Sequence, residues 1–159
     1  MESPRIGFGY DVHRLQEGLP LIIGGVKVPF EKGALGHSDA DVLVHAIMDA
    51  LLGAAGLRDI GQQFPDSDQA YKGADSTLLL KKVGEMVRRQ GYSIGNIDAT
   101  VCLQQPKISI LIPEMIQTLS RVLDIQFSRV SVKATTTEGL GFIGSGEGVS
   151  AYAVALLTG

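Results

Sequence analysis

Two short stretches carry chemistry-bearing side chains at spacings that aim them together. In GYDVHRL, Gly9 to Leu15, Asp11 and His13 stand two apart where the apolar strand RIGFGY reads as ending, and side chains two apart on a strand point to one face. The other two of the chain's three histidines bracket HSDADVLVH, His37 to His45. Asp11, His13 and His45 supply one carboxylate and two imidazoles, a donor set for tetrahedral Zn²⁺ with its fourth position open. Iron or manganese would accept the same donors. Structural zinc sites are usually closed and sulfur-rich, and this chain has a single cysteine, so an open site implies a ligand or a reaction. Taken singly, each histidine has a plainer role as a surface imidazole or a cap; the conjunction carries the reading.

A second group of residues suits phosphate. KATTTEGLGFIGSGEG, Lys133 to Gly148, runs from a strand into three threonines, Glu138 and a glycine-rich loop. Hydroxyls, bare backbone N–H groups and one carboxylate fit a phosphate bound with a hard cation, since Mg²⁺ takes one or two carboxylates plus phosphate oxygens. A Walker loop is excluded by the missing Lys-Ser/Thr ending. The plainer alternative is a turn with β-favouring threonines. LRDIGQQFPDSD, Leu57 to Asp68, offers Asp59, Gly61, Asp66 and Asp68, where a carboxylate and free backbone suit a ribose diol, although loop acids more often cap turns or meet water. QQPKIS, Gln104 to Ser109, is held extended by Pro106 and either reads a base edge or simply joins a strand to a helix.

Positioning these groups falls to interspersed strands and helices. RIGFGY, LIIGG with VKVP, NIDATVCLQ, RVSVKATTT and GVSAYAVALL read as strands. SDADVLVHAIMDALLGAAG, DSTLLLKKVGEMVRRQG and PEMIQTLSRVLD read as helices. The order favours an α+β two-layer sandwich, a mixed β-sheet with helices on one face. In the first helix Ser38 and Asp41 predict a capping-box start, and Leu43, Ile47, Ala50, Leu51 and Ala54 form the stripe expected to face the sheet. His45 then lies on the opposite side, away from the core, with Asp41 or Asp49 one turn away to orient its distal nitrogen.

Composition bounds the rest. The 159 residues suit one domain, 1–159, with 45% hydrophobic residues and a formal charge of −3 from 14 basic and 17 acidic side chains. That balance argues against nucleic acid as a partner, and no apolar run is long enough for a membrane span. MESPRIGFGY has no secretory pattern and Cys102 stands alone, so the expected compartment is the cytoplasm, with an organelle lumen after processing as the alternative. Cys102, in an apolar run, reads as a small buried hydrophobe.

Over essentially its whole length the sequence resembles the 2-C-methyl-D-erythritol 2,4-cyclodiphosphate synthase family. The resemblance rests on GYDVHR at Gly9–Arg14, IIGGV at Ile22–Val26, HSDADV at His37–Val42 followed by His45, and DALLGAA at Asp49–Ala55. It continues through DIGxxFPDSD at Asp59–Asp68, GADS at Gly73–Ser76, GNIDAT at Gly95–Thr100 and KATTTE at Lys133–Glu138. It implies a homotrimer with active sites between neighbouring subunits, in which Zn²⁺ is bound through Asp11, His13 and His45. The implied substrate is 4-diphosphocytidyl-2-C-methyl-D-erythritol 2-phosphate, whose 2-phosphate attacks the β-phosphorus and expels CMP. By match, Glu138 holds Mg²⁺ or Mn²⁺ on the diphosphate, while His37 and Thr136 contact phosphate. Asp59 and Gly61 hold the ribose, and Leu103, Pro106, Lys107, Ile108 and Ser109 form a cytosine pocket. Ser38, Phe64, Asp66 and Asp68 from the first half, with Thr135, Thr137 and Phe142 from the second, complete the implied substrate contacts. Gly139 follows Glu138 where many bacterial members carry Lys, and Ser145 stands where they carry Arg. The first removes a cationic contact near the phosphates; the second bears on whether an isoprenoid diphosphate binds on the trimer axis. A zinc hydrolase and a non-catalytic nucleotide-binding module are the competing readings.

Overall fold

A computed structural model describes residues 3–159 of the chain. Its main sheet has five strands in the order β4-β1-β7-β5-β6: β1 (Arg5–Glu17), β4 (Lys32–Ala34), β5 (Ser93–Cys102), β6 (Val130–Thr135) and β7 (Gly148–Thr158). β7 runs antiparallel to both β1 and β5, while β5 and β6 are parallel. A separate hairpin pairs β2 (Leu21–Ile23) with β3 (Val26–Val28). Its two-residue turn, Gly24-Gly25, needs φ of +61° and +74°, the geometry that suits a twisted hairpin and that glycine adopts freely.

The helices lie on one face, as expected: α1 (Val42–Ala54), α3 (Ser76–Arg89) and α4 (Ile112–Leu123), with the single-turn segments α2 (Ile60–Gln63) and α5 (Gly141–Gly144) at the loops. Three details differ from the sequence reading. β1 does not end near Asp11 but continues through it to Glu17, because pairing with β7 extends past His13, opposite Val149, and pairing with β4 then takes over. The short strand β4 has no periodicity of its own to announce it. α1 starts at Val42 with Asp41 as its cap, and Ser38 lies outside the helix.

Alternation along β1 explains the sheet's two faces. Gly7, Gly9, Asp11 and His13 point to the helix side, and Ile6, Phe8, Tyr10 and Val12 to the other. A Cβ on Gly7 would fall 1.9 Å from the carbonyl oxygen of Ala50, and one on Gly9 1.8 Å from that of Ala46. The glycines therefore let α1 lie directly on the strand, and the residues that touch it are Ala50 and Ala54 of the expected stripe together with Ala46. α1 has no solvent side, since α3 packs against it as well as the sheet. His45 is accordingly buried, contrary to the helical-wheel expectation.

None of α1, α3 and α4 covers the opposite sheet face. Ile6, Phe8, Tyr10, Val12, Tyr152 and Val154 are all exposed there, with the Tyr10 and Tyr152 rings 5.0 Å apart. Cys102, at the end of β5, is only partly buried because its side chain belongs to that uncovered face. Among the described residues no helix is long and apolar enough to cross a membrane.

Candidate functional site

Close packing of α1 on β1 delivers His45 to the pair in the strand. Asp11 Oδ2 lies 2.7 Å from His13 Nε2 and 3.0 Å from His45 Nδ1, and the two nitrogens are 3.4 Å apart. With bonds of about 2.0–2.1 Å, the donors of a tetrahedral zinc sit roughly 3.3 Å from one another, so this set fits the ion. The local field also favours a cation. Burial by itself would raise the Asp11 carboxyl, but hydrogen bonds to His13 and His45 outweigh it and hold the group below its ordinary value. Burial would lower His45; the bond to Asp11 and the charges of Asp11, Asp41 and Asp39 win, and its pKa is raised.

The partners behind these ligands are not the ones that helical spacing suggests. His13 Nδ1 meets the carbonyl of Leu35 at 3.0 Å, and His45 Nε2 meets the hydroxyls of Ser76 at 2.8 Å and Ser38 at 3.1 Å. Asp41 is instead fully buried and accepts from the amides of Gly24 (2.9 Å), Gly25 (2.7 Å) and Val44 (3.1 Å), tying the hairpin turn to the start of α1. Asp49 takes the amide of Ile60 at 2.8 Å, anchoring α2. Both carboxylates hold backbone amides rather than the His45 ring.

The triad opens into a cavity of about 280 Å³. His37, Ser38, Gly61, Phe64 and Asp66 line it with the metal ligands, as do Met48, Ile60, Tyr71 and Leu79, which sequence reasoning missed. Met48 was legible as one turn beyond His45; Tyr71 was not, since its place depends on an edge-to-face contact with Phe64, 5.4 Å between ring centres. His37 Nε2 is buried without a hydrogen-bond partner among the described residues. Asp59 and Asp68 are outside the lining: each caps a short helical turn, accepting from Gln62 N at 2.9 Å and Ala70 N at 3.0 Å.

A second cavity, of about 200 Å³, brings together Leu103, Pro106, Lys107, Ile108, Ser109, Thr135 and Thr136, with Gln104 and Ala134 beside them. The Gln105–Pro106 peptide is cis. Thr136 Oγ1 accepts the amide of Glu138 at 3.2 Å, and Thr137 Oγ1 donates to Leu140 O at 2.7 Å. Glu138 is exposed on the loop with φ of +55°, apart from the triad. Phe142 lines neither cavity; it packs near Gly148, where a Cβ would come within 2.8 Å of its ring. The two cavities share no residue. Val12, Ser150, Cys102 and Thr135 lie in one row across β1, β7, β5 and β6, so three strand spacings, roughly 14 Å, separate the metal strand from the threonine strand.

A helix-backed mixed sheet with an open Asp-His₂ centre between its first strand and α1 defines a metal-binding protein with a second cavity at the same end of the sheet. The model of the YgbB family matches residues 4–158, and the chain belongs to that family, the 2-C-methyl-D-erythritol 2,4-cyclodiphosphate synthases. A synthase of that name from Pelotomaculum thermopropionicum is 63% identical over 153 residues, covering 96% of this chain and 94% of the relative. Among solved structures, the bifunctional IspDF from Campylobacter jejuni matches with a TM-score of 0.94 and 43% identity, covering 98% of this chain and 42% of that longer one. The Plasmodium falciparum IspF in complex with CDP matches with a TM-score of 0.87 and 38% identity, over 99% of this chain and 97% of that one.

Proposed function

We propose the residue roles by which this chain carries out the reaction of its family. The chain is a phosphorus–oxygen lyase that converts 4-diphosphocytidyl-2-C-methyl-D-erythritol 2-phosphate to the 2,4-cyclodiphosphate and CMP. The observation that carries the reading is the convergence of Asp11, His13 and His45 at tetrahedral spacing on the wall of a cavity. Zn²⁺ on that triad and Mg²⁺ or Mn²⁺ with the diphosphate neutralise charge and act as a template for the phosphates.

The nucleophile is the substrate's own 2-phosphate, so the protein's task is alignment, worth up to about 7–11 kcal/mol in favourable intramolecular reactions. His37, whose Nε2 has no partner among the described residues, and Thr136 contact the reacting phosphates, and Glu138 holds the second cation. Asp59 and Gly61 hold the ribose, and Ser38, Phe64, Asp66 and Asp68 complete the substrate contacts from the first half of the chain. Thr135 and Thr137 flank the phosphate loop. Leu103, Pro106, Lys107, Ile108 and Ser109 receive cytosine, and Phe142 makes a further substrate contact.

Assembly follows from the same reading. A chain whose metal cavity and nucleoside cavity share no residue, and whose outer sheet face is apolar and exposed, suits a homotrimer in which one subunit's metal cavity meets its neighbour's nucleoside cavity. Residues 1–159 act as one domain, since strands from both ends of the chain pair at the centre of one sheet. The cytoplasm is the compartment that suits a chain with one cysteine. Phosphorus NMR of the purified protein with substrate and Mg²⁺ tests the reading: cyclic diphosphate and CMP are expected, and are lost in His45→Ala. Linear hydrolysis products would favour a hydrolase, and CMP binding without turnover a nucleotide-binding module.

A further inference from the structure

The distal nitrogen of His45 is held by a chain of side chains that reaches outside both metal-bearing motifs. Nε2 lies 2.8 Å from Oγ of Ser76, thirty-one positions away at the first turn of α3 and fully buried. The hydroxyl proton of Ser76 is already committed: Oγ donates to Oδ1 of Asp39, and the Ser76 amide donates to Oδ2 of the same carboxylate at 2.9 Å. A hydroxyl has one proton to give, and a carboxylate has none. Toward His45, Ser76 Oγ therefore acts as an acceptor, which puts the imidazole proton on Nε2 and the lone pair on Nδ1. Nδ1 is the atom that faces Asp11 Oδ2 and His13 Nε2. Ser38 Oγ, 3.1 Å from the same Nε2, already accepts the amide of Ala40 at 3.4 Å and is placed to share the proton.

We infer that Asp39 and Ser76 are positioning residues that hold His45 as the Nε2–H tautomer, with its ring turned to present the Nδ1 lone pair to zinc. This rests on Asp11, His13 and His45 being the zinc ligands. The two histidines differ in how they are held. His13 has its Nδ1 against the carbonyl of Leu35, a main-chain group that accepts and never donates, so no side-chain change releases it. His45 depends on Ser76 having nowhere else to send its proton. With an amide at position 39, the Ser76 hydroxyl is freed to donate to Nε2, and the tautomer with a proton aimed at the metal position becomes accessible. Outer partners of ligating histidines typically govern metal affinity by about 10–100-fold.

The loop that carries Asp39 is also latched to the segment before α3: Asp39 N donates to Ala74 O at 3.2 Å and Gly73 N to His37 O at 2.8 Å. A merely structural role would be shared by Asp75, the adjacent cap of α3, which accepts from Thr77 N at 2.9 Å and Thr77 Oγ1 at 2.7 Å. The experiment measures zinc dissociation constants by chelator competition on the full chain, at a temperature where circular dichroism shows each variant folded. The ¹⁵N signals of His45 are recorded in parallel. Ser76→Ala and Asp39→Asn are expected to weaken zinc by about 10–100-fold and to shift the His45 ring nitrogens toward tautomer exchange. Asp75→Ala is expected to leave both unchanged. Wild-type affinity with wild-type His45 signals in Asp39→Asn or Ser76→Ala would overturn the inference, as would an equal loss in Asp75→Ala. Asp39→Asn, which conserves volume, carries the test if Ser76→Ala does not fold. Failure of the unaltered chain to take up zinc would instead overturn the metal reading itself.

Discussion

The backbone of Ala46 in α1 lies so close to Gly9 in β1 that a Cβ at residue 9 would stand 1.8 Å from the Ala46 carbonyl oxygen. That approach sets the height of His45 above Asp11 and His13. Gly9→Ala should therefore push α1 off the strand and cost more than about 3 kcal/mol, above the usual range for an added methyl, because the obstacle is backbone. Urea unfolding and zinc content of the variant check this, with both expected to fall. A Gly9→Ala protein of unchanged stability would mean that the helix shifts without consequence.

Metal removal should show as lost stability. Zinc bound only by the folded chain and present at a hundred times its dissociation constant stabilises by about 2.7 kcal/mol. Melting curves with and without a chelator should differ for the unaltered chain and coincide for His13→Ala, which removes one of three ligands. A chelator shift that persists in His13→Ala would place the metal elsewhere.

Asp41 carries a pH dependence of stability. Burial lifts its carboxyl from 3.8 to about 6, against the pull of amide bonds from Gly25, Val44 and Gly24, with Asp39 nearby adding to the rise. A group whose folded-state pKa is raised stabilises while protonated, so its contribution is complete below 3.8 and is lost as pH rises through about 6. Measured by urea unfolding, the stability of the unaltered chain minus that of Asp41→Asn should fall from about pH 4 to about pH 7, since the variant lacks the titration. A flat or rising difference would contradict the assignment.

The uncovered sheet face predicts separable losses. Tyr152→Glu places a charge among Phe8, Tyr10 and Val154. Sedimentation should show smaller particles, with turnover reduced more than tenfold, while zinc content stays at the level of the unaltered chain because the triad lies on the opposite face. Retained assembly with lost zinc would mean that the two faces are coupled.

Turnover should also respond to Glu138 alone. Glu138→Gln keeps the loop's shape but removes the carboxylate proposed to hold Mg²⁺ or Mn²⁺, so kcat should drop by a factor of about 100, with zinc content intact. Partial recovery at high Mn²⁺ would agree with weakened cation binding, whereas unchanged kcat would remove Glu138 from the reaction.

Much of this was legible in the sequence. The period of two in Gly7, Gly9, Asp11 and His13 declares one face of one strand, and the helical period from Leu43 to Ala54 declares a helix, because both are local and set by backbone geometry. The donor types name the metal chemistry, and the ordered motifs name the family. The tertiary structure alone decided that His45 reaches Asp11 across thirty-four positions and is buried. It also placed Ser76, backed by Asp39, rather than Asp41 or Asp49 behind that ring, and divided most of the predicted substrate residues between two cavities while leaving Asp59, Asp68, Thr137 and Phe142 outside both. These outcomes depend on strand register and on how closely a helix settles on glycine. Such contacts form between segments far apart in the chain, and neither periodicity nor spacing carries them.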